Sequence, residues 1–432
     1  MNFFLVNKNY KKMQLQKLMQ MQMQKLVQMQ KCAQMQQQII SEQAIKSHYK
    51  IANNITANAN TIINATNIPV SNFNGSQVIN LYNIPIITPT TATTRKVVIA
   101  IVIAYKCPTI QSDLNMYWQS IVNFGPTSRP PTINIYTLPG ATVDSSWNLE
   151  TSLDIQMVAT ANPNAKICIV EAKSPAIVDL KNAIQYATTT LNADIISCSW
   201  GGADSTSLRD NDVFINPASP SNYKCFCFSS GDTNIVNWPA VLSNVVSVGG
   251  STLIWNPTPS NSSANSEYTW LNAGCGYSTS VSKPLYQSAV NSNGFRAIPD
   301  ISLMANPISG VNIVYNGKWT SVGGTSLACP LFAGILSLAN QKRFNLNKLP
   351  LTTVYTQTPT TNVVPTVIPA TNIQNFLYKT IYTTLSLKNS CLNDIINGTD
   401  GIYVAGAGYD IATGLGSPNV TNLCNALAVN LA

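Results

Sequence analysis

The sequence predicts an α/β protein built on a doubly wound, mainly parallel sheet with helices on both faces. Three observations predict it. Val97 to Ala104 (VVIAIVIA) is a continuous apolar run of strand length, which is how a strand buried on both faces reads. Further short apolar runs alternate with stretches of helical pattern, and that alternation builds βαβ units. Gly323 to Pro330 (GGTSLACP) puts a tight glycine turn in front of a helix. In such sheets the chemistry gathers where strands end and helices begin.

In chain order, residues 1–69 read as a basic Met/Gln-rich low-complexity tail and an Asn-rich linker, and residues 70–432 as the folded domain. The Met/Gln tract spans 13–38. Its residues favour helix, but its apolar spacing drifts between periods, so low complexity is the expectation. The linker runs from Ser41 to about Pro69. After the strand at Val97 to Ala104, Asn148 to Ala161 reads as a helix and Ala165 to Ala172 as a strand. Ser174-Pro175 is a cap and first-turn signal for a helix over Ala176 to Leu191. Ala193 to Ser199, Tyr223 to Ser229 and Val245 to Val248 are expected strands. A Thr/Pro-rich insertion occupies 352–372, and Asn389 to Ser417 reads as Gly- and Asp-rich loop.

The net charge of +8 is unevenly placed. Residues 1–50 hold eight lysines against Glu42 alone, so seven of the eight net charges lie there. The domain is close to neutral, and no nucleic-acid partner is expected of it. No apolar run reaches membrane-span length, and Met1 to Val6 is too short for a signal core, so neither a transmembrane segment nor a secretory signal is expected. The ten cysteines show no CxxC pair and no metal-finger spacing. Cys168 and Cys198 lie in strand-like runs as small hydrophobes, which favours a reducing compartment.

Ser326 opens the helix that follows the glycine turn. A serine there lies near unpaired backbone N–H groups and the positive end of the helix dipole. That suits a nucleophile whose intermediate is negatively charged, although a simple helix cap would look the same. A nucleophilic serine needs a base. The only histidine, His48, falls in the linker, and a Ser-His-Asp triad would require that linker to fold into the site. The base is therefore expected to be a carboxylate, a lysine or a terminal amine, and the few acidic residues of the domain can each be inspected. Glu150 and Asp154 (WNLETSLDIQMVA) stand i, i+4 on one helix face, about 5–6 Å apart at Cβ, in a helix otherwise poor in charge. Partly buried, such a pair shares a proton, and one pKa rises. Asp232 follows the strand YKCFCF in an S-G-D turn. Protonated, it donates a hydrogen bond as an oxyanion needs, although the same turn also reads as an ordinary Gly-Asp turn.

Taken together, these segments resemble the sedolisin family, the serine-carboxyl peptidases of subtilisin-like fold. The family's G-T-S-x-x-x-P matches Gly324 to Pro330, its E-x-x-x-D helix matches Glu150 to Asp154, and its S-x-S-W-G matches Ser197 to Gly201. Its oxyanion aspartate falls on Asp232. The Trp238-Pro239-Ala240, Val248 to Ser251, Ile298 to Ile301 and Gly317-Lys318-Trp319 segments fit as well. The resemblance runs from about Val70 to Leu423.

The resemblance implies that Ser326 attacks a peptide carbonyl, Glu150 takes its proton, Asp154 tunes Glu150 and Asp232 stabilises the oxyanion, at acidic pH and on polypeptide substrates. It also implies one Ca²⁺, held by Asp394-Ile395 and by the G-x-G-x-D of Gly406, Gly408 and Asp410, an oxygen set suited to a hard cation. A monomer is expected. About seventy residues precede the matching region where family precursors carry a long folded prosegment, and Cys275 interrupts a Gly-rich segment. The alternative expectation, from another class, is a catalytically silent scaffold of the same fold.

Overall fold

Val98–Ala104 is the central strand of an eight-stranded sheet in the computed structural model. The structure describes residues 45–48, 50–51, 73–86, 95–121, 128–208, 224–254, 266–353 and 372–429. Ile45–Pro175 and Asp179–Ala432 make one compact unit. Lys166–Ala172 flanks the central strand on one side and Ile195–Cys198 on the other, both parallel to it. Ile133–Thr137 extends the sheet beyond the first. Cys225–Ser229 and then Val246–Ile254 extend it beyond the second. Ile301–Met304 also pairs in parallel with Val246–Ile254, and Ser266–Thr269 closes that edge antiparallel. The fold is the expected mainly parallel α/β sheet.

Two predicted elements differ in length for physical reasons. The helix expected over Ala176 to Leu191 is α-helical at Ile177–Gln185 and widens to a π turn at Tyr186–Thr190. There the hydroxyls of Thr188 and Thr189 donate to the carbonyls of Ile184 and Gln185 at 3.0 and 2.7 Å, competing with the ordinary helix ladder. The strand expected to stop at Val248 continues to Ile254 through two glycines. A Cβ on Gly249 would lie 2.5 Å from the Pro299 ring, and one on Gly250 would lie 2.6 Å from Ala305 Cβ. These glycines admit close packing instead of ending the strand.

The Met/Gln tract, most of the Asn-rich linker and nearly all of 352–372 lie outside the described residues. The part of the linker that is described corrects the sequence reading. Lys46–Ser47 pairs antiparallel with Trp200–Ala203, and Lys50–Ile51 pairs antiparallel with Lys318–Gly323. A short polar stretch thus becomes sheet, because two strand edges of the domain accept it. In the C-terminal region, the helix Leu385–Cys391 runs into the expected loop.

Two helices pack against each other and against strands of the sheet. Asn148–Ala161 has all fourteen residues buried, including its acids. It lies against Thr325–Asn345, which is buried over most of its length. They approach closely at Gly334, where a Cβ would lie 2.5 Å from Ala161 Cβ and 3.2 Å from the Val158 carbonyl oxygen. Gly334→Val should therefore overpack this contact and lower stability by about 1–3 kcal/mol, read as a shift in chemical denaturation midpoint. An unchanged midpoint would mean the helices are free to separate.

Candidate active site

Ser326 is the second residue of the Thr325–Asn345 helix, and two glycines put it there. Gly324, the residue before the helix, has φ 110° and ψ 161°, a conformation glycine adopts without strain. At Gly323 a Cβ would fall 2.4 Å from the Ala305 carbonyl oxygen. Ser326 Oγ donates toward Glu150 Oε2 at 3.0 Å and also lies 3.3 Å from the Ser199 carbonyl oxygen. Pro330 lacks the N–H that would otherwise bond the Ser326 carbonyl one turn back.

Glu150 stands in the first turn of its helix, where the dipole favours negative charge. One turn on, Asp154 Oδ1 accepts from Ser199 Oγ at 2.7 Å. Glu150 Oε1 and Asp154 Oδ2 have no other partner among the described residues. A proton shared by the two carboxyls would satisfy such oxygens. Both groups are fully buried. Desolvation pushes the pKa of each upward, and the neighbouring Asp154 charge pushes Glu150 up further. The pair therefore titrates as a unit above the ordinary carboxylate range.

Asp232 lies just beyond the strand Cys225–Ser229, after Gly231 at φ 108°. Its Oδ1 accepts from both the Thr325 N–H and the Thr325 hydroxyl, each at 2.8 Å. Its Oδ2 has no partner among the described residues. Burial raises its pKa to about 6 against the opposing pull of the Thr325 bonds and of Lys50.

All four residues read from the sequence are thus brought to one place. The expectation that His48 stands apart is corrected. His48 is buried in the site, with Nδ1 2.8 Å from Ser229 Oγ. Its ring is not the partner of Ser326 Oγ, which bonds Glu150 instead. Burial lowers the imidazole pKa to about 4 despite hydrogen bonding to Gly201 and Ser229. Sequence reasoning also missed Ser199, which holds Asp154, and Thr325, which holds Asp232. Ser199 lay within a recognised motif, and Thr325 immediately precedes the nucleophile. The only trace of the His48 segment was a short alternating stretch, IKSHYKI, between two low-complexity tracts.

Asp394, Ile395, Gly406, Gly408 and Asp410 share one C-terminal loop. Gly408 N–H donates to Asp394 Oδ2 at 2.7 Å, and Gly406 N–H donates to Asp410 Oδ2 at 3.1 Å. No cluster of three or more His, Cys, Asp or Glu side chains suited to a metal occurs among the described residues. The nine cysteines in the described residues are free and buried.

The model of the subtilase family matches residues 141–381, more than half of the chain. The chain belongs to the subtilase family. Within it the likeness is to sedolisins. Sedolisin of Pseudomonas sp. (strain 101) is 27% identical over 310 residues, covering 64% of this chain and 48% of that protein. Kumamolisin of Bacillus sp. (strain MN-32) is 29% identical over 312 residues, covering 64% and 50%. Tripeptidyl-peptidase 1 of Rattus norvegicus is 26% identical over 329 residues, covering 65% and 52%. The chain spans about half the length of these curated relatives. The solved structure of Pseudomonas sedolisin, a serine-carboxyl proteinase complexed with two molecules of pseudo-iodotyrostatin, has TM-score 0.65 and 23% identity. It covers 83% of this chain and 98% of that one, and it shows the same fold.

The buried carboxyls set a pH dependence of stability. In the unfolded chain Asp and Glu titrate near about 3.9 and 4.3. In the folded protein Asp232 holds its proton to about 6, and Glu150 and Asp154 are raised too. Above pH ~4 these three carboxyls bind fewer protons unfolded than folded, which outweighs the opposite contribution of the single imidazole of His48, so stability falls as pH rises. The melting temperature should be higher near pH 4 than near pH 8, and Asp154→Asn should flatten that slope. A melting temperature that rises with pH over this interval would contradict the protonated site.

Proposed function

We propose that the chain is a serine-carboxyl peptidase that hydrolyses peptide bonds at acidic pH through an acyl-enzyme on Ser326. The observation that carries this reading is the Ser326 Oγ to Glu150 Oε2 hydrogen bond of 3.0 Å, with Asp154 behind it. Ser326 Oγ attacks the substrate carbonyl, and Glu150 takes its proton, with Asp154 holding the second proton of the pair. Glu150 then returns the proton to the departing amine. A water molecule, deprotonated by Glu150 in turn, releases the acyl group. The oxyanion is met by the Ser326 backbone N–H at the helix N-terminus and by protonated Asp232. Acidic pH matters because Asp232 donates only while it holds its proton. The sedolisin similarity supports this assignment, as does the absence of an imidazole contact to Ser326 Oγ among the described residues.

On this reading Ser326→Ala should abolish hydrolysis of a peptide library at pH 4–5. Asp232→Ala should lower kcat by about 10²–10³-fold, the usual effect of losing one oxyanion donor. Asp232→Asn keeps an acceptor for Thr325 and a donor that does not titrate. It should retain activity and move the alkaline limb of the pH–rate profile upward from about 6. Activity that peaks near neutral pH in the parent, or survives Ser326→Ala, rejects the mechanism.

The loop of Asp394 and Asp410 fits one Ca²⁺. The carbonyls of Ile395, Gly406 and Gly408 accept no hydrogen bond among the described residues. Two carboxylates with three carbonyls form a hard-oxygen donor set. When bound, the ion supplies positive charge that ties the loop together, and Lys388, 3.7 Å from Asp394 Oδ2, supplies part of it otherwise. EDTA should lower the melting temperature. At calcium 100-fold above Kd the lost stabilisation is about 2.7 kcal/mol. A melting curve unmoved by excess chelator excludes the ion from this loop.

A further inference from the structure

Residues 45–48 and 50–51 lie along the site as the two sides of a bound peptide do. Upstream of Ser326 the first side adds a strand to the Trp200–Ala203 edge, with Lys46 opposite Gly201 and Ser47 opposite Trp200. Downstream the second side adds a strand to Lys318–Gly323, with Lys50 opposite Gly323. Between these pairings His48 N–H donates to the Ser199 carbonyl at 3.0 Å, and the His48 carbonyl accepts from Ser326 N–H at 2.8 Å. Main-chain pairing on both sides of a reactive residue fixes register, so one carbonyl alone meets the nucleophile's N–H. The side chain of that residue is also received. The His48 ring reaches Ser229 Oγ at 2.8 Å, and a Cβ on Gly201 would stand 3.0 Å from its Cε1. Lys50 lies with its ammonium 5.7 Å from the Trp270 ring centre.

The geometry points to the protein being its own substrate, cutting the peptide bond between His48 and Tyr49. This rests on the peptidase reading above and adds the bond and the residue that fills the pocket before it. Ser326 Oγ adds to the His48 carbonyl carbon while its proton passes to Glu150. The C–N bond to Tyr49 breaks, and the Tyr49 nitrogen takes that proton and leaves as an amine. The His48 ester on Ser326 is then hydrolysed. Water contributes its oxygen to a His48 carboxylate, and Ser326 regains its proton. Nothing beyond one water molecule is consumed. The pocket at Gly201 and Ser229 takes a neutral imidazole, so the cut is directed by His48 as well as by the pairing of Lys46 and Ser47.

The test uses the full chain, incubated at pH 5 and followed by intact mass and N-terminal sequencing. Parent protein should yield a new chain beginning at Tyr49, and Ser326→Ala should stay whole. Lys46→Pro, which removes the N–H that faces Gly201 in the pairing, should cut itself at least tenfold more slowly. The same three proteins are given a peptide library. Library hydrolysis by the parent or by Lys46→Pro, with the 48–49 bond of the parent intact, overturns the self-cleavage and leaves the peptidase reading standing. Cleavage at another bond in residues 1–72 overturns the assigned register. No hydrolysis of library or self by any of them overturns both readings.

Discussion

Three carboxyls are buried at one place with no cation in ion-pair contact among the described residues, and the character of the site follows from that. Asp300 shows the alternative. It is fully buried as well, but Arg296 meets it at 2.6 Å and Tyr378 and Ser247 donate to it. Glu150, Asp154 and Asp232 receive only hydroxyl and backbone donors. Leaving an uncompensated carboxylate in such a place costs several kcal/mol. Taking up a proton one pH unit above the ordinary pKa costs only about 1.4 kcal/mol. Protonation is the cheaper way out, so the site is built to hold protons. A group that holds a proton where water would strip it is able to return one during a reaction.

Burial of that kind depends on how closely two helices meet. The acid-bearing helix has no exposed face, and Gly334 lets the serine-bearing helix approach it at Ala161 and Val158. Gly323 and Gly324 do the equivalent work at the other end. They bring the chain past Ala305 and Pro307 and set Ser326 into the first turn rather than outside it. Two close approaches, one at each end of the same contact, hold the Ser326 to Glu150 distance.

The chemistry of the site was legible in the sequence wherever it sits on regular structure. Glu150 and Asp154 are one helical turn apart, and helical period is a local property. The glycine turn before Ser326 and the strand before Asp232 are equally local. The roles of Ser199 and Thr325 were not legible, because a serine or threonine becomes a carboxylate's partner only through packing across the fold. His48 was the furthest from reach. Its place depends on two pairings to strands more than 150 residues away, and its own neighbourhood is polar and low in complexity. A count of histidines excluded an imidazole base, and Ser326 does bond a carboxylate. The same count gave no hint that the main chain of His48 would meet the serine.

Asp232 illustrates how little is needed to give a carboxyl a direction. Both Thr325 donors go to Oδ1, filling the acceptor capacity on that side. The proton retained to about pH 6 therefore belongs on Oδ2, the oxygen without a partner. Thr325 is also the first residue of the helix whose next N–H is that of Ser326, now meeting the His48 carbonyl. One residue thus fixes which oxygen of Asp232 carries the proton and opens the helix end that points at the same carbonyl. Exchanging Thr325 for a residue without a hydroxyl leaves Oδ1 with one donor, and the proton is then free to sit on either oxygen.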